Sequence, residues 1–229
     1  MLAGLALAAA SAASAAVLAV PAGQAVPAGQ AVPASRSVSH REDVRALQLR
    51  LQALRYDPGP ANGAFTGFTR SAVWAFQQVN DMAPTGRLDG RLQWALAHPK
   101  WPRPLTADRS RDRVDVSVRR QVLVVYKGGR VALISHISTA SGRHYCDAGH
   151  CGVARTPRGD FHVTHRLRGW HRSPLGYMYR PLYFYYGYAI HGSVSVPNHP
   201  ASHGCVRVPM HTADMLPGLV RDGEPVHVR

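Results

Sequence analysis

The period of the hydrophobic pattern changes once along the chain, and this change constrains the fold more than any other feature. Before Pro99 the apolar residues recur every three or four positions, which indicates amphipathic helices. After Pro104 apolar and polar residues alternate, which indicates β-strands. The prolines between the two parts are typical of a stiff connector, which we place at residues 99–110. We therefore predict an α+β chain with a helical domain over 39–98 and a mostly antiparallel β domain over 111–229.

Three helices are predicted in the first domain, as a small bundle. Ser39 and Glu42 have the spacing of a capping box, so the first helix should begin after Ser39. Thr69 is the expected cap of the second helix, and the third should span 88–97. A bundle of this size has barely enough apolar core to fold alone. The second domain should contain strands at 114–118, 121–126, 131–139, 183–191 and 226–228, a further strand after the turn near Pro157, and a short helix at 212–216.

The N-terminal segment has the composition of an export signal. Residues 1–20 are almost entirely Ala, Leu, Val and Ser and carry no charge. A run of this length could span a bilayer, but its alanine-rich character favours a secretory signal peptide over 1–25, with an uncleaved membrane anchor as the alternative. Residues 26–38 continue a Pro-Ala-Gly-Gln-Ala-Val repeat and should form a linker. We therefore expect an exported protein.

A glycine-flanked cysteine near two histidines is the strongest sign of chemistry in the chain. The cysteine lies in Ser202-His203-Gly204-Cys205-Val206-Arg207, and His191 precedes it by fourteen residues. A thiolate is a strong nucleophile, and an adjacent imidazole can remove the thiol proton, so the pattern predicts acyl transfer through a thioester. The residues alone leave open whether His191 or His203 takes the proton.

The aromatic run before His191 predicts a strand that faces the substrate. If 183–191 is one strand, Tyr183, Tyr185 and His191 share a face with two small residues. Small side chains beside the imidazole would leave room for the backbone of a substrate. Tyr183 and Tyr185 are therefore candidate substrate-binding residues.

His191-Gly192 followed by 202–207 resembles the active-site signature of the L,D-transpeptidases, cysteine enzymes that cross-link bacterial peptidoglycan. The resemblance implies a mostly antiparallel catalytic domain in which Cys205 is the nucleophile and His191 is the base. It also implies that the backbone of Gly192 orients the His191 ring. One departure is visible, because Asn198 stands where many members have a glycine, and the interval from His191 to Cys205 is short. The connecting loop should therefore differ in shape.

The same resemblance assigns supporting roles to the rest of the motif. His203 is implied to support the site, and the backbone N–H groups of Gly204 and Cys205 are implied to bind the oxyanion. Ser202 and Arg207 are the remaining candidates for substrate binding. A planar guanidinium such as that of Arg207 can hold a carboxylate through two hydrogen bonds.

The helical domain is similar to the three-helix peptidoglycan-binding domain, which implies binding to the cell wall. The matching residues are Leu47-Gln48, Leu51, Leu54-Arg55-Tyr56, Asn62-Gly63-Ala64-Phe65, Thr69, Ala72-Val73, Ala75-Phe76-Gln77, Gly86 and Trp94-Ala95-Leu96. A purely structural helical cap on the second domain is the alternative, because a fold does not by itself fix a function.

The charge balance is strongly basic, with a formal net charge of +14. Such a field attracts polyanions, for which nucleic acid is the usual candidate. For an exported protein the available anions are the carboxylates of peptide stems and cell-wall glycopolymers, so we expect these partners and no nucleic acid. A compositional bias of the genome toward alanine and arginine explains the charge equally well. The oligomeric state stays open.

With three cysteines in the sequence, one disulfide can form and one thiol stays free. In an oxidising compartment Cys146 and Cys151 should form a disulfide, with Cys205 as the free and reactive thiol. The rival interpretation is a zinc site formed by these two cysteines with His144 and His150. Because the spacing matches no standard zinc motif, we expect neither a metal nor a cofactor.

The two resemblances together imply a peptidoglycan L,D-transpeptidase located at the cell wall. Such an enzyme transfers the acyl group of a tetrapeptide stem to its cysteine, releases D-alanine, and passes the acyl group to an amine of a neighbouring stem. It would also be a carbapenem target. The alternatives are an L,D-carboxypeptidase that uses water as the acceptor, a non-catalytic wall-binding protein, and a zinc hydrolase.

Overall fold

The computed structural model describes residues 34–108, 110–147 and 149–229. The expected signal peptide over 1–25, and residues 26–33 of the expected linker, lie outside the described residues. The helices are α1 Ala34–Ala53, α2 Gly67–Val79, α3 Gly90–Ala97 and α4 Met210–Leu219. The strands are β1 Arg113–Ser117, β2 Val122–Lys127, β3 Arg130–His136, β4 His144–Asp147, β5 His150–Val153, β6 Gly159–His162, β7 His165–Arg166, β8 Trp170–Ser173, β9 Gly176–Tyr185, β10 Tyr188–Gly192, β11 Val206–Val208 and β12 Pro225–Val228. Among the helices in these ranges, none is long and apolar enough to cross a membrane.

Helices α1 to α3 form the predicted bundle, but two predicted caps are wrong. Helix α1 begins at Ala34 rather than after Ser39, because neither proline nor glycine interrupts the chain between them. The cap of α2 is Thr66, whose hydroxyl accepts a hydrogen bond from the Thr69 N–H at 3.5 Å. Thr69 itself is buried inside the helix, and its hydroxyl donates to the Pro58 carbonyl at 3.1 Å.

Two sheets form the second domain and enclose its core together with α4. The first sheet has the strand order β3-β2-β1-β12-β6, and the second has the order β11-β10-β9-β7, with β8 also paired to β9. The described pairs are antiparallel apart from β1 with β12 and β10 with β11. The fold-class prediction of a helical bundle followed by a mostly antiparallel β domain is confirmed.

Strand β2 is buried on both faces, which explains its unbroken apolar run. Leu123 and Val125 point into the core between the sheets. Val122, Val124 and Tyr126 point the other way and join the core of the helical bundle. A strand covered on both sides needs no polar alternation, because neither face meets water. The bundle and the β domain therefore share one apolar interface.

Polar contacts fix the bundle against the β domain. The Ile134 N–H donates to the Arg55 carbonyl at 2.7 Å. Buried Asp57 accepts a hydrogen bond from the Thr212 hydroxyl at 2.7 Å, and its other oxygen lies 2.6 Å from Nδ1 of His211. Because these contacts accompany a shared core, the bundle is not free to move relative to the sheets.

The connector after the bundle is bound at both ends. The Lys100 N–H donates to Asn80 at the end of α2 at 2.9 Å, and the Leu105 N–H donates to Asp115 of β1 at 3.0 Å. The prolines therefore lie along the joint between the two parts and do not act as a free tether.

The predicted single strand over 183–191 is wrong, since the chain folds there into a hairpin. Strand β9 ends at Tyr185 and β10 begins at Tyr188. Tyr186 has φ of 41°, in the left-handed region, and with Gly187 it forms the turn. Aromatic residues usually favour strands, so the run gave no turn signal apart from one glycine. Tyr185 and His191 consequently lie on different strands.

Buried His136 should make the stability of the fold depend on pH. It is fully buried, and its Nε2–H donates to the Pro197 carbonyl at 2.9 Å. Burial lowers its pKa from 6.5 to about 4. Between these values the unfolded chain binds a proton that the folded protein does not, so stability is complete above pH 6.5 and is lost as the pH falls toward 4.

As the pH falls from 6.5 to about 4, we expect the free energy of unfolding to decrease less in His136→Gln than in the wild type. The difference should be on the order of 3 kcal/mol. Urea unfolding at several pH values measures the difference. The exposed residue His40 provides a control, and His40→Gln should follow the wild type. An equal pH dependence in all three proteins would contradict the prediction.

Candidate functional site

One cavity contains the cysteine motif and both candidate histidines. Its volume is about 690 Å³. Strands β8 and β9 form one wall, and the β4–β5 hairpin contributes Tyr145 and His150 to another. His191, His203 and Cys205 all line this space. The structure therefore brings together residues that the sequence had grouped only by motif.

Parallel pairing between β10 and β11 places His191 near Cys205. Ile190 pairs with Val206 and His191 pairs with Arg207, while Cys205 immediately precedes β11. Cys205 is therefore two residues before Arg207, the partner of His191, at the start of the neighbouring strand.

His191 is held as a neutral ring, and its second nitrogen has no hydrogen-bond partner among the described residues. It is 5% exposed, and its Nδ1–H donates to the Gly192 carbonyl at 2.9 Å. Burial lowers the pKa of His191 to about 4, a decrease that the Gly192 hydrogen bond only partly opposes. In this tautomer Nε2 carries the lone pair, so it can accept a proton.

Cys205 is a neutral thiol in this arrangement. Burial raises its pKa above the usual 9.0, while a hydrogen bond from the Ala189 backbone and the charge of Arg207 act in the opposite direction. The sulfur lies 3.9 Å from the Gly187 carbonyl oxygen, and these described residues show no direct hydrogen bond between Cys205 and His191. A preformed thiolate–imidazolium pair is therefore absent from this state.

His203 points toward the β4–β5 hairpin. Its Nε2 lies 2.7 Å from Oδ2 of Asp147, and its ring packs edge-on against Tyr145 at 4.7 Å. No role was predicted for Asp147 or Tyr145. No local pattern could have identified them, because the contact joins residues 56 positions apart.

The Ser202 hydroxyl braces the motif, and Ser202 also lines the cavity, so its role in substrate binding stays a prediction. It donates to the Cys205 carbonyl at 2.6 Å and accepts from the Gly204 N–H at 3.1 Å, and the residue is only 3% exposed. The Gly204 N–H is therefore bound to Ser202 in this state, and its predicted role as an oxyanion donor stays a prediction. Glycine is required at 204 because a Cβ there would overlap the Tyr188 ring.

Of the other predicted substrate-binding residues, two line the cavity and one does not. Arg207 lines it, and among the described residues its guanidinium has no hydrogen-bond or ion-pair partner. Tyr183 lines it as well and packs in a cluster with Cys205. Tyr185 does not line it, because the turn after β9 directs its ring to Phe161, and Tyr188 lines the cavity instead.

Gly192 lies where a side chain could not fit. A Cβ at this position would be 2.8 Å from the Cβ of Ala213 in α4 and 3.0 Å from the Tyr179 ring. Close packing of the strand on α4 therefore fixes the carbonyl that binds His191.

The loop between His191 and the motif is attached to the helical bundle. Asn198 donates from Nδ2 to the Pro84 carbonyl at 3.3 Å, and Pro197 accepts the hydrogen bond from His136. A glycine at 198 could not make the first contact, so the departure from the common pattern reflects this contact with the bundle.

Cys146 and Cys151 are joined by a disulfide across β4 and β5, where they form a register pair. Sulfur atoms in a disulfide are not thiolate ligands, so these two cysteines do not supply a zinc site in this state. His144 and His150 are exposed on the same hairpin. Cys205 is the free cysteine.

Comparison with known families identifies both parts of the chain. Residues 111–228 match the family model described as "L,D-transpeptidase catalytic domain". Residues 40–96 match the model described as "Putative peptidoglycan binding domain". None of the curated proteins that were compared with the chain matches it.

Solved structures agree with the family models. The chain is similar to the L,D-transpeptidase (residues 123–326) from Xylanimonas cellulosilytica, with 38% identity, a TM-score of 0.77, and coverage of 82% of this chain and 93% of that one. A weaker match is the L,D-transpeptidase from Stackebrandtia nassauensis, with 20% identity, a TM-score of 0.48, and coverage of 82% and 91%. The chain therefore belongs to the L,D-transpeptidase family and carries an N-terminal domain of the peptidoglycan-binding type.

Proposed function

We propose that the chain is a peptidoglycan L,D-transpeptidase that works by covalent catalysis through Cys205. The observation that carries the proposal is that His191 of β10 and Cys205, which immediately precedes the neighbouring strand β11, line one cavity. His191 serves as the base, because Gly192 holds its Nδ1–H and leaves Nε2 as the acceptor. His203, whose Nε2 is bound by Asp147, keeps the supporting role that the family resemblance implies.

In the proposed first step, Sγ of Cys205 attacks the carbonyl carbon of the third residue of a tetrapeptide stem while His191 takes the thiol proton. The amide bond to D-alanine then breaks, and D-alanine leaves with the proton from His191, so that a thioester remains. An amine of a neighbouring stem attacks the thioester, a new amide bond forms, and the thiol of Cys205 is restored.

The pKa values of the two groups determine when the proton moves. The pKa of His191 is about 4, while that of Cys205 lies above 9.0. Burial therefore disfavours the free thiolate and imidazolium in the empty site, where both groups are neutral. Proton transfer therefore accompanies formation of the carbon–sulfur bond. A backbone N–H directed at the oxyanion contributes about 3 kcal/mol, and the Cys205 N–H is the donor that we retain.

Arg207 supplies the charge that selects an anionic substrate. Its guanidinium lines the cavity, is partly buried, and has no partner among the described residues. A partly buried charge without a counter-ion is unfavourable, and a carboxylate of the peptide stem would provide one. Tyr183 and Tyr188 form the apolar side of the same space.

The helical domain, over 39–98, would hold the protein on the wall while residues 111–229 perform the chemistry. Because the bundle shares a core with β2 and β3, its outer surface keeps a fixed position relative to Cys205. Export through the signal peptide over 1–25 would bring the protein to the wall, where arginine-rich surfaces attract anionic polymers. No nucleic acid, metal or cofactor has a role in this proposal.

Product analysis tests the proposal against its alternatives. The full chain is incubated with a disaccharide-tetrapeptide, and the products are separated and weighed by mass spectrometry. We expect a cross-linked dimer that has lost one D-alanine. A tripeptide product without any dimer would identify a carboxypeptidase, and unchanged substrate would favour a non-catalytic wall-binding protein.

A further inference from the structure

The β4–β5 hairpin extends from the backbone that holds the cysteine motif. Before the hairpin, the Ser141 N–H donates to the Ser202 carbonyl at 2.9 Å. After it, the Thr156 hydroxyl donates to the Gly204 carbonyl at 2.8 Å. The segments on both sides of the hairpin are thus hydrogen-bonded to two residues of the cysteine motif. The hairpin extends from these two supporting segments.

The end of the hairpin also contacts the motif through His203. Asp147 accepts a hydrogen bond from Nε2 of His203 at 2.7 Å, and the ring of Tyr145 packs against the same imidazole. Cys146 lies between these two residues and forms the disulfide with Cys151. The disulfide therefore connects the strand that touches His203 to the strand opposite.

Neither the hairpin nor the Asp147–His203 hydrogen bond would be persistent alone. Strands β4 and β5 form a separate two-stranded sheet, which is marginally stable by itself in water. The side chains of Asp147 and His203 are 57% and 28% exposed, and such a pair is worth less than about 1 kcal/mol. A covalent cross-link between the strands limits the other conformations of the hairpin, and the pair then forms without that entropic cost.

We propose that Asp147 is a positioning residue for acyl transfer, and that the disulfide acts through it. The closed hairpin presents Asp147 and Tyr145 to His203 and thereby fixes the His203-Gly204-Cys205 turn. This turn carries the nucleophile and the backbone N–H that faces the oxyanion. The inference rests on the proposed function.

The first test compares variants of the hairpin in the full chain. We expect Asp147→Ala to lower kcat for the tetrapeptide roughly tenfold with little change in KM, because misplacing a reacting group costs rate more than binding. Asp147→Asn should restore most of the rate, since its amide oxygen can still accept the hydrogen bond. His144→Ala is the matched control, because His144 is exposed on the same strand. Equal losses in Asp147→Ala and His144→Ala would overturn the proposal.

The second test asks whether the disulfide acts through Asp147. The Cys146→Ser/Cys151→Ser double variant should lose rate about as Asp147→Ala does. The wild type should lose rate in the same way after a phosphine reduces the disulfide to two thiols, a step in which water supplies the two protons and the phosphine becomes its oxide. Combined with Asp147→Ala, the double variant should lose nothing further, because two changes in one pathway are not additive. If the rate losses of Asp147→Ala and of the double cysteine variant multiply when the changes are combined, the proposal is overturned. It is also overturned if removing the disulfide causes no loss of rate.

Alkylation of the free thiol separates this inference from the proposed function. Iodoacetamide reacts with Cys205 whether or not acyl transfer occurs. A freed His203 ring should open the approach to Sγ, so Asp147→Ala should react faster, by about threefold or more, and His144→Ala should not. If the wild type has no activity, the proposed function fails while this rate still decides the role of Asp147. An alkylation rate that is unchanged in Asp147→Ala would overturn the proposed positioning role of Asp147.

Discussion

Replacing Cys205 with alanine should reduce D-alanine release from a tetrapeptide stem by roughly a millionfold, which is the scale for removing a covalent nucleophile. Cys205 is the one free thiol of the chain, and it lines the cavity that also contains His191. Without the sulfur no thioester can form, so the dimer and tripeptide products should both disappear. Quantifying released D-alanine over time measures the effect.

The fold should survive this substitution. Cys205 is only partly buried and packs beside Tyr183, Met178 and Ala189. Removing one sulfur at such a site costs about 1 kcal/mol, which thermal denaturation can verify. Cys205→Ser keeps the volume but replaces the thiol, and we expect it to be similarly inactive. Continued D-alanine release by the alanine variant would show that the chemistry takes place elsewhere.

Replacing His191 should slow acylation by roughly a hundredfold or more, the usual contribution of a general base. Because the Cys205 pKa is raised by burial, the thiol cannot ionise without help near neutral pH. Stopped-flow measurement of acylation gives the rate directly. His191→Asn is the informative variant, since its side-chain N–H can still donate to the Gly192 carbonyl. His162→Ala, at an exposed position outside the cavity, is the control and should acylate near the wild-type rate.

The pH dependence of the wild type offers a second check on His191. A base with a pKa of about 4 is neutral throughout the range from pH 5 to 7, so kcat/KM should not fall in that range through its protonation. The acid limb should appear near pH 4 and should be missing in His191→Asn. A limb near 6.5, or an unchanged rate in the variant, would remove His191 from its proposed role.

The sequence predicted those helices and strands that follow from the local spacing of hydrophobic residues. The helical spacing of Leu47, Leu51 and Leu54 placed α1, because burial of one face imposes that period. The alternation over 114–118 likewise placed β1, and the apolar run over 121–126 placed β2. The residues before His191 are mostly aromatic, so no alternation of apolar and polar residues is visible there. The turn at Tyr186 and Gly187 was therefore not predicted. The shared core of the bundle and β2 was also missed, since an apolar strand does not reveal what covers its second face.

For the candidate site, the motif located the cavity but not its supports. Cys205, His191 and Arg207 are recognisable because their chemistry is carried by residue type and spacing. Asp147 is recognisable only once the β4–β5 hairpin is folded against His203. Ser202 and Gly204 were given ligand roles, yet their hydrogen bonds within the motif are set by the tertiary turn. Side-chain partners across long sequence separations lie beyond what a local pattern encodes.

Acyl transfer through Cys205 is tested most directly by intact-protein mass spectrometry after the wild-type chain is mixed with a carbapenem. We expect the mass to increase by one carbapenem per chain, and a peptide map to place the adduct on Cys205 while Cys146 and Cys151 remain linked. The Cys205→Ala variant should keep its original mass. No adduct on the wild type, or an adduct that persists in the variant, would contradict the assignment of Cys205 as the nucleophile.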